Sequence, residues 1–213
     1  MTDRPSSKIL DEVAAYYTSK LQQHGTSSRG VDWSTPASHR LRHRQFLRLL
    51  EGAPEASVLD LGCGFGDFLR FLRTEGHRGR YIGYDVARSM IGEALRLYGQ
   101  GPDRDWHVGS EPTEQADFAV ASGLFNVKGN TSTQAWSAYI DETLDILART
   151  SRQGFAFNVL SLCSDVQRRQ PHLYYADPTE ILNNCIERFG RSVALLQDYG
   201  LWEFTVIVKA HRT

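Results

Sequence analysis

The sequence has few of the features that mark disulfide-rich or membrane-spanning proteins. Among its 213 residues are only three cysteines, Cys63, Cys163 and Cys185, which lie far apart and form no C-x-x-C pair. This spacing favours neither a disulfide framework nor a zinc site, and we expect no metal. No apolar run approaches the roughly 20 residues that a membrane-spanning helix needs. The first residues are polar and hold no apolar signal core, so we expect a soluble protein of the cytoplasm.

An excess of charge of either sign is also lacking. The chain has 24 lysines and arginines against 25 aspartates and glutamates. Proteins whose main task is to grip nucleic acid usually carry a basic excess, so nucleic acid is not the expected partner. The length is enough for one domain with a sizeable hydrophobic core.

The most informative stretch lies at residues 57–69. An apolar run predicts a buried strand, and Asp60 stands where this strand should end. Three alternating glycines then predict a tight turn into an amphipathic helix; they are Gly62, Gly64 and Gly66. Glycine lets the backbone approach a ligand closely, and the start of a helix presents unpaired N–H groups. A carboxylate beside such a turn favours a ligand that carries an amino group.

The spacing of the glycines separates two kinds of nucleotide ligand. Dinucleotide-binding proteins have G-x-G-x-x-G, with the third glycine placed for a pyrophosphate at the helix end. This chain has G-x-G-x-G instead, preceded by Asp60, which would repel a pyrophosphate. The motif resembles the S-adenosylmethionine (SAM) loop of class I methyltransferases.

The rest of the chain alternates between short apolar runs and amphipathic runs. Strands are predicted at 57–61, 80–85, 106–108, 116–121, 154–160, 192–196 and 202–209. Helices between them are predicted at 66–75, 88–98, 132–149 and 178–189, the last capped by Asp177. This alternation indicates a parallel α/β sheet. The short turn before the last strand leaves no room for a crossover, so that strand should run antiparallel.

Two more helices are predicted before the first strand, at residues 8–24 and from 36 to about 50, with Ser34 or Thr35 as the second cap. We therefore divide the chain into a helical cap, 1–54, and a ligand-binding domain, 55–213. Class I methyltransferases have seven strands with the seventh antiparallel, between the fifth and sixth, so the closing strands extend the resemblance over residues 55–213. The expected fold is a Rossmann-like, mostly parallel seven-stranded sheet with an antiparallel last strand.

The resemblance implies a site for the donor, SAM, as the cofactor. Asp60, Gly62, Gly64 and Gly66 match the family's loop at the methionine end, where Cys63 fills a variable position. Asp85, at the end of the second strand, is expected to accept the ribose hydroxyls. The expected contacts of the adenine and the methionine are Val86, Met90, Ser110, Ser122 and Gly123. Ser110 stands where the family usually has an aspartate, so this contact departs from the common pattern.

The acceptor side carries no specific motif. By position, Phe125 and Asn126 are expected to face the substrate. Tyr16, Tyr17 and Trp33 are expected on the substrate side as an aromatic lid that closes over SAM. His39, His172 and Tyr174 are the candidate catalytic groups for removing a proton. Arg40, Arg44 and Arg48 share a helix face, which is more typical of a solvated surface than of an anion site.

The expected function is SAM-dependent methyl transfer to an oxygen or nitrogen of a small molecule, such as a biosynthetic intermediate or a sugar. The chain lacks the Asn/Asp-Pro-Pro-Tyr motif of amino-group nucleic-acid methyltransferases, and Cys163 lacks the usual flanks of a 5-methylcytosine nucleophile. Methylation of RNA or protein stays open as an alternative, as does a SAM-binding protein without catalysis. Both a monomer and a homodimer are compatible with the sequence.

Overall fold

The fold was obtained as a computed structural model, which describes the backbone of residues 5–210 and the side chains of residues 7–210. The strands are β1 (Val58–Leu61), β2 (Tyr81–Asp85), β3 (Arg104–Val108), β4 (Ala116–Ala121), β5 (Ser151–Leu160), β6 (Val193–Leu196) and β7 (Glu203–Lys209). The α-helices are α1 (Pro5–His24), α2 (Pro36–Phe46), α3 (Asp67–Thr74), α4 (Arg88–Tyr98), α5 (Thr133–Thr150) and α6 (Pro178–Phe189). Short 3₁₀ turns lie at Ser28–Val31 and Val166–Arg168.

The strands form one seven-stranded sheet in the order β3-β2-β1-β4-β5-β7-β6. The pairs from β3 to β5 are all parallel, whereas β7 runs antiparallel to both β5 and β6. This arrangement confirms the predicted fold class. The strand order reverses between β1 and β4, and ligands of open α/β sheets bind outside the carboxyl ends of the strands at such a point.

The sheet is covered by helices on both faces, as a mostly parallel sheet requires. Successive strand side chains point to opposite faces, so Leu59 joins one hydrophobic cluster and Val58 the other. The first cluster includes residues of α1, α5 and α6, and the second includes residues of α3 and α4. Ile9 of α1 and Phe46 of α2 are buried in these clusters, so both N-terminal helices share the core of the sheet.

The predicted caps are formed by local hydrogen bonds. Thr35 caps α2 in a reciprocal capping box with Ser38, and Pro36 occupies the first turn. Asp177 caps α6 by accepting hydrogen bonds from the N–H groups of Thr179 and Glu180. Because each cap is formed by residues two or three positions apart, both helix starts can be predicted from the local sequence.

Four boundaries differ from the sequence prediction by two residues or more. Helix α1 begins at Pro5 instead of residue 8. Helix α2 ends at Phe46, and the chain continues to Leu50 in turns with bonds between residues three apart. β3 and β5 begin earlier than predicted, at Arg104 and Ser151. β3 is an edge strand with polar, half-exposed residues at its start, so hydrophobic periodicity gives no signal there. Across residues 5–210, no helix combines the length and the apolar composition needed to cross a membrane.

Candidate functional site

A cavity lies at the carboxyl ends of β1, β2 and β4, where the strand order reverses. Its walls come from the glycine loop after β1, the turns after β2, β3 and β4, the N-terminal helices and α5. Of the predicted donor contacts, the lining includes Asp60, Gly62, Cys63, Gly64, Asp85, Val86, Met90, Ser110, Ser122 and Gly123. We call this the donor cavity.

The glycine loop needs glycine for both conformation and space. Gly62, Gly64 and Gly66 have φ of 79°, 54° and 84°, in the left-handed region that side chains rarely adopt. A Cβ on Gly62 would lie 2.7 Å from Leu124 Cδ1. A Cβ on Gly66 would lie 2.4 Å from Trp106 Cη2. The loop therefore brings its backbone to the cavity in a path that alanine could not follow without displacing neighbours.

Replacing Gly66 by alanine is expected to lower the free energy of unfolding by roughly 2–3 kcal/mol, because backbone strain adds to overpacking against Trp106. Gly76 is a matched control, since its φ is 85° but nothing lies within 4 Å of a Cβ there. Gly76→Ala should therefore cost about 1 kcal/mol, from strain alone. Urea denaturation of both variants measures the difference, and equal losses would contradict the packing argument.

Asp60 is a buried carboxylate with one unused oxygen. Its Oδ2 accepts a hydrogen bond from the Tyr81 hydroxyl, whereas Oδ1 is buried without a partner. Burial raises the pKa of Asp60 to about 7, with the nearby Asp85 as a lesser contribution. An unpaired buried acceptor is costly unless a ligand satisfies it. A cationic ammonium fits this position, because it would supply both donors and opposite charge.

Asp85 connects the loop to the second strand. Its Oδ2 accepts from the N–H of Gly64 at 2.9 Å, and its Oδ1 accepts from the N–H of Ala87 at 2.8 Å. Burial raises the pKa of this carboxyl to about 6, against the opposing effect of these two bonds. Asp85 therefore fixes the shape of the loop while it faces the cavity, and each oxygen keeps a further lone pair for a ligand hydroxyl.

The other donor-side positions are mainly apolar or backbone surfaces. Met90 is 1% exposed and packs with Ala87 in a small cluster beside the cavity. Burial raises the pKa of the Cys63 thiol well above its usual value, which favours a packing role over a nucleophilic one. The Gly123 N–H donates a hydrogen bond to Asn158 Oδ1 at 2.6 Å. Ser122 Oγ is buried without a hydrogen-bond partner.

Several predicted residues lie outside the lining of the donor cavity. Gly66 is the N-cap of α3 and is turned toward Trp106. Phe125 is fully buried in the core between Tyr139 and Phe157. The Tyr16 hydroxyl is bonded to Asp32 at 2.7 Å. The side chains of Phe125 and Tyr16 are thus engaged in packing or in a local hydrogen bond.

The three catalytic candidates are not brought together. His39 lines the donor cavity, but His172 is exposed in the segment between β5 and α6, where its carbonyl accepts from Gly129. The Tyr174 hydroxyl lies 3.3 Å from Ser137 Oγ, on the α5 side of the same segment. The long loop after β5 thus leads these two residues away from the donor cavity.

The structure adds lining residues that the sequence analysis did not select. His43 and Asp67 lie beside His39, whose Nδ1 is 3.4 Å from Asp67 Oδ2. Burial lowers the pKa of His39 to about 4 and that of His43 well below its usual value, so both rings are neutral near pH 7. The spacing of the two histidines on α2 was a visible signal for this pair. Tyr139, Glu142 and Thr143 of α5 also line the cavity, and no motif in the sequence indicates that they contact a ligand.

A second cavity adjoins the first, and Tyr17, Val31 and Trp33 line both. Trp33 packs against the turn after β4 on the donor side, where a Cβ on Gly123 would lie 2.4 Å from its Cζ2. The Arg42 guanidinium stacks on the Trp33 ring at 3.8 Å. Asn126, Arg168, Tyr175 and Trp202 form other parts of this second lining. Three of the predicted substrate residues, Tyr17, Trp33 and Asn126, thus meet there.

This fold and site define a SAM-binding protein of the Rossmann-like methyltransferase class. A family described as "Methyltransferase domain" matches residues 36–184, and the chain belongs to this family. A Mycobacterium tuberculosis (strain ATCC 25618 / H37Rv) protein named "Putative methyltransferase Rv1506c" is 42% identical over 164 residues, which are 76% of this chain and 98% of that protein.

Solved structures share the fold at low identity. Magnesium protoporphyrin IX methyltransferase (ChlM) from Synechocystis PCC 6803 with bound S-adenosylhomocysteine (SAH) has a TM-score of 0.69 at 12% identity, covering 97% of this chain and 100% of that chain. DhpI in complex with SAH has a TM-score of 0.63 at 16% identity, covering 96% and 98%. Together with the family match, these findings establish the protein as a SAM-dependent methyltransferase, with SAM as its methyl donor.

Proposed function

We propose that this methyltransferase transfers the methyl group to an oxygen or nitrogen of a small-molecule acceptor. The observation that carries the proposal is the second cavity, which is separated from the donor cavity by Tyr17, Val31 and Trp33. A concave site with aromatic walls and a few polar groups is typical of small-molecule binding. Structural neighbours named for such acceptors, including ChlM and a human N-acetylserotonin methyltransferase, support the idea that the fold accommodates this class.

In this proposal the donor is held by two carboxylates and a backbone cradle. Asp60 Oδ1 would accept from the ammonium of the methionine part, and Asp85 from the ribose hydroxyls. Val86 and Met90 offer an apolar surface for the adenine. SAM supplies a methyl group that is already activated, because its leaving group is a neutral thioether. The protein is then required mainly to position the reactants, an effect that can supply about 7–11 kcal/mol of the barrier.

The residues between the two cavities would control how donor and acceptor meet. Trp33 fills the space over Gly123 and is held there by stacking on Arg42. We infer that the Trp33 ring covers the acceptor and excludes water during transfer. The N-terminal segment before β1 supplies this ring and Tyr17, and the closing of these two side chains over the ligands is part of the proposal. A catalytic role for His39 also stays a prediction, since its lowered pKa makes the ring a weak base.

The affinity for SAM is expected to fall as the pH is lowered through the pKa values of the two donor carboxylates. A bound ammonium favours ionised Asp60, whose pKa is about 7, and ribose hydroxyls favour ionised Asp85, whose pKa is about 6. Tyr81 and Cys63 lie beside these carboxylates; their pKa values are raised, so both groups stay protonated over this pH range. Binding should therefore release protons, and the affinity should drop roughly 10–100-fold between about pH 7.5 and pH 5.5.

Calorimetry in buffers of different ionisation enthalpy would measure this proton release directly. Asp60→Asn removes the group with the higher pKa and should flatten most of the pH dependence. An affinity that stays constant over this range, with no proton release, would contradict the assignment of the ammonium to Asp60.

A library of candidate small molecules, scored by SAH release, tests the proposed acceptor class. The library should contain hydroxylated and amino compounds, with bulk RNA and a protein lysate as separate arms. A small molecule that gives turnover, lost on Trp33→Ala while SAM binding is kept, would support the proposal. Turnover confined to the RNA or protein arm would replace it with the corresponding alternative. SAM binding without turnover in any arm would favour a non-catalytic SAM-binding protein.

A further inference from the structure

Three potential metal ligands meet at the edge of the donor cavity. His39 and His43 lie four residues apart on α2, and Asp67 is the first residue of α3. One ligand atom from each of the three lies within 4.8 Å of the others. His43 is 3% exposed, and its Nδ1 is buried without a hydrogen-bond partner. An unsatisfied ring nitrogen at such a position is costly unless a ligand uses it.

The surrounding structure holds these side chains in place. Residues four apart share a helix face, so both imidazoles point to the same side of α2. The His43 ring packs against His39, Phe68 and Phe71, with centroid distances of 4.4, 5.0 and 5.4 Å. Asp67 follows the left-handed turn at Gly66 and accepts a hydrogen bond from Arg70. The cluster is therefore ordered by packing from two helices that are joined by the core.

We propose that His39, His43 and Asp67 bind one divalent cation of the zinc type. Two imidazoles and one carboxylate are the ligand set of zinc sites that keep an open fourth position. Tetrahedral bonds of about 2.0–2.1 Å place neighbouring ligand atoms roughly 3.3–3.4 Å apart. His39 Nδ1 and Asp67 Oδ2 are already 3.4 Å apart, and a ligand atom of His43 lies within 4.8 Å of both, so the His43 ring would move toward them when the ion binds.

This site departs from the metal-free protein expected from the cysteine spacing. All three ligands line the donor cavity, so the open position faces the bound molecules. The ion binding does not depend on the proposed function, because the acceptor is placed in the second cavity, whose lining includes none of the three ligands.

Zinc titration of the full chain, without a histidine tag and against a chromophoric chelator, tests the site. We expect one Zn²⁺ per chain for the unchanged protein. His43→Gln and Asp67→Asn should each weaken binding by at least about 100-fold, since even outer-shell changes cost 10–100-fold. His107→Gln is the matched control, because this ring lies outside the cluster and also has a buried nitrogen without a partner. It should leave zinc binding unchanged.

Circular dichroism and urea denaturation show whether each variant is folded. His39→Cys keeps a zinc ligand and should retain binding, whereas His39→Ala should lose it, which separates coordination from packing. The proposal is overturned if the unchanged protein binds no zinc, or if folded His43→Gln and Asp67→Asn bind as it does. Zinc binding without small-molecule turnover would contradict the proposed acceptor alone, and turnover without zinc binding would contradict the metal site alone.

Discussion

Arg42→Ala is expected to lower the free energy of unfolding by about 3–5 kcal/mol, because it leaves a buried charge without its partner. Arg42 Nε donates to Glu203 Oε2 at 2.6 Å, and the two residues are 7% and 0% exposed. The pair joins α2 to β7 across 161 positions of sequence. Removing the guanidinium also removes the stacking on Trp33. The Tyr199 hydroxyl, 3.4 Å from the other Glu203 oxygen, cannot replace a full positive charge.

Denaturation in urea measures this effect, and two further variants identify its cause. Arg44→Ala removes an exposed arginine two residues along the same helix and should change stability by less than about 0.5 kcal/mol. Adding Glu203→Gln to Arg42→Ala should recover part of the loss, because the uncompensated charge is then absent. If Arg42→Ala costs no more than Arg44→Ala, the buried ion pair does not contribute as the structure indicates.

Asp85→Ala is expected to weaken SAM binding by at least about 100-fold, since bonds to a charged group are worth about 1.5–3 kcal/mol each. Two effects act together in this variant. The ribose hydroxyls would lose their acceptor, and the N–H groups of Gly64 and Ala87 would lose the carboxylate that fixes the loop. Calorimetric titration with SAM and SAH measures the combined loss.

The two effects can be separated with a changed ligand. An SAH analogue without both ribose hydroxyls cannot use Asp85 as an acceptor, so Asp85→Ala should weaken its binding much less than that of SAH. Equal losses for both ligands would show that Asp85 acts on the loop alone. Asp145→Asn, on the exposed face of α5, is the control for a general change of charge and should bind SAM normally.

The predicted fold rests on local patterns, each of which spans only a few neighbouring residues. The apolar run with Asp60 and the alternating glycines is a local motif, and its left-handed turns require glycine wherever the chain folds this way. The short turn at 198–200 forces β7 antiparallel, and Asp177 caps α6 through its own neighbours. The sequence predicts only residues 106–108 of strand β3, because an edge strand needs fewer apolar residues than a central one and its first residues are polar.

The predicted site is less complete on the acceptor side. Most donor contacts follow directly from the ends of β1, β2 and β4, so their order along the chain predicts their meeting in one cavity. The predicted roles of Phe125, His172 and Tyr174 rest on their position in loops alone. The path of a loop depends on the residues that pack against it, which the local sequence does not show. The structure places Phe125 in the core and His172 at the surface.

The sequence by itself thus determined the class of fold, the cofactor loop and the two donor carboxylates, because these depend on local backbone conformation and strand order. The tertiary structure decided which face of α2 is buried. Arg40, Arg44 and Arg48 are exposed as predicted, whereas Arg42, His39 and His43 are enclosed by β7, Trp33 and α3. Burial and pairing depend on segments far away in sequence, so only the folded chain reveals a neutral histidine pair beside Asp67 and an arginine bound to Glu203.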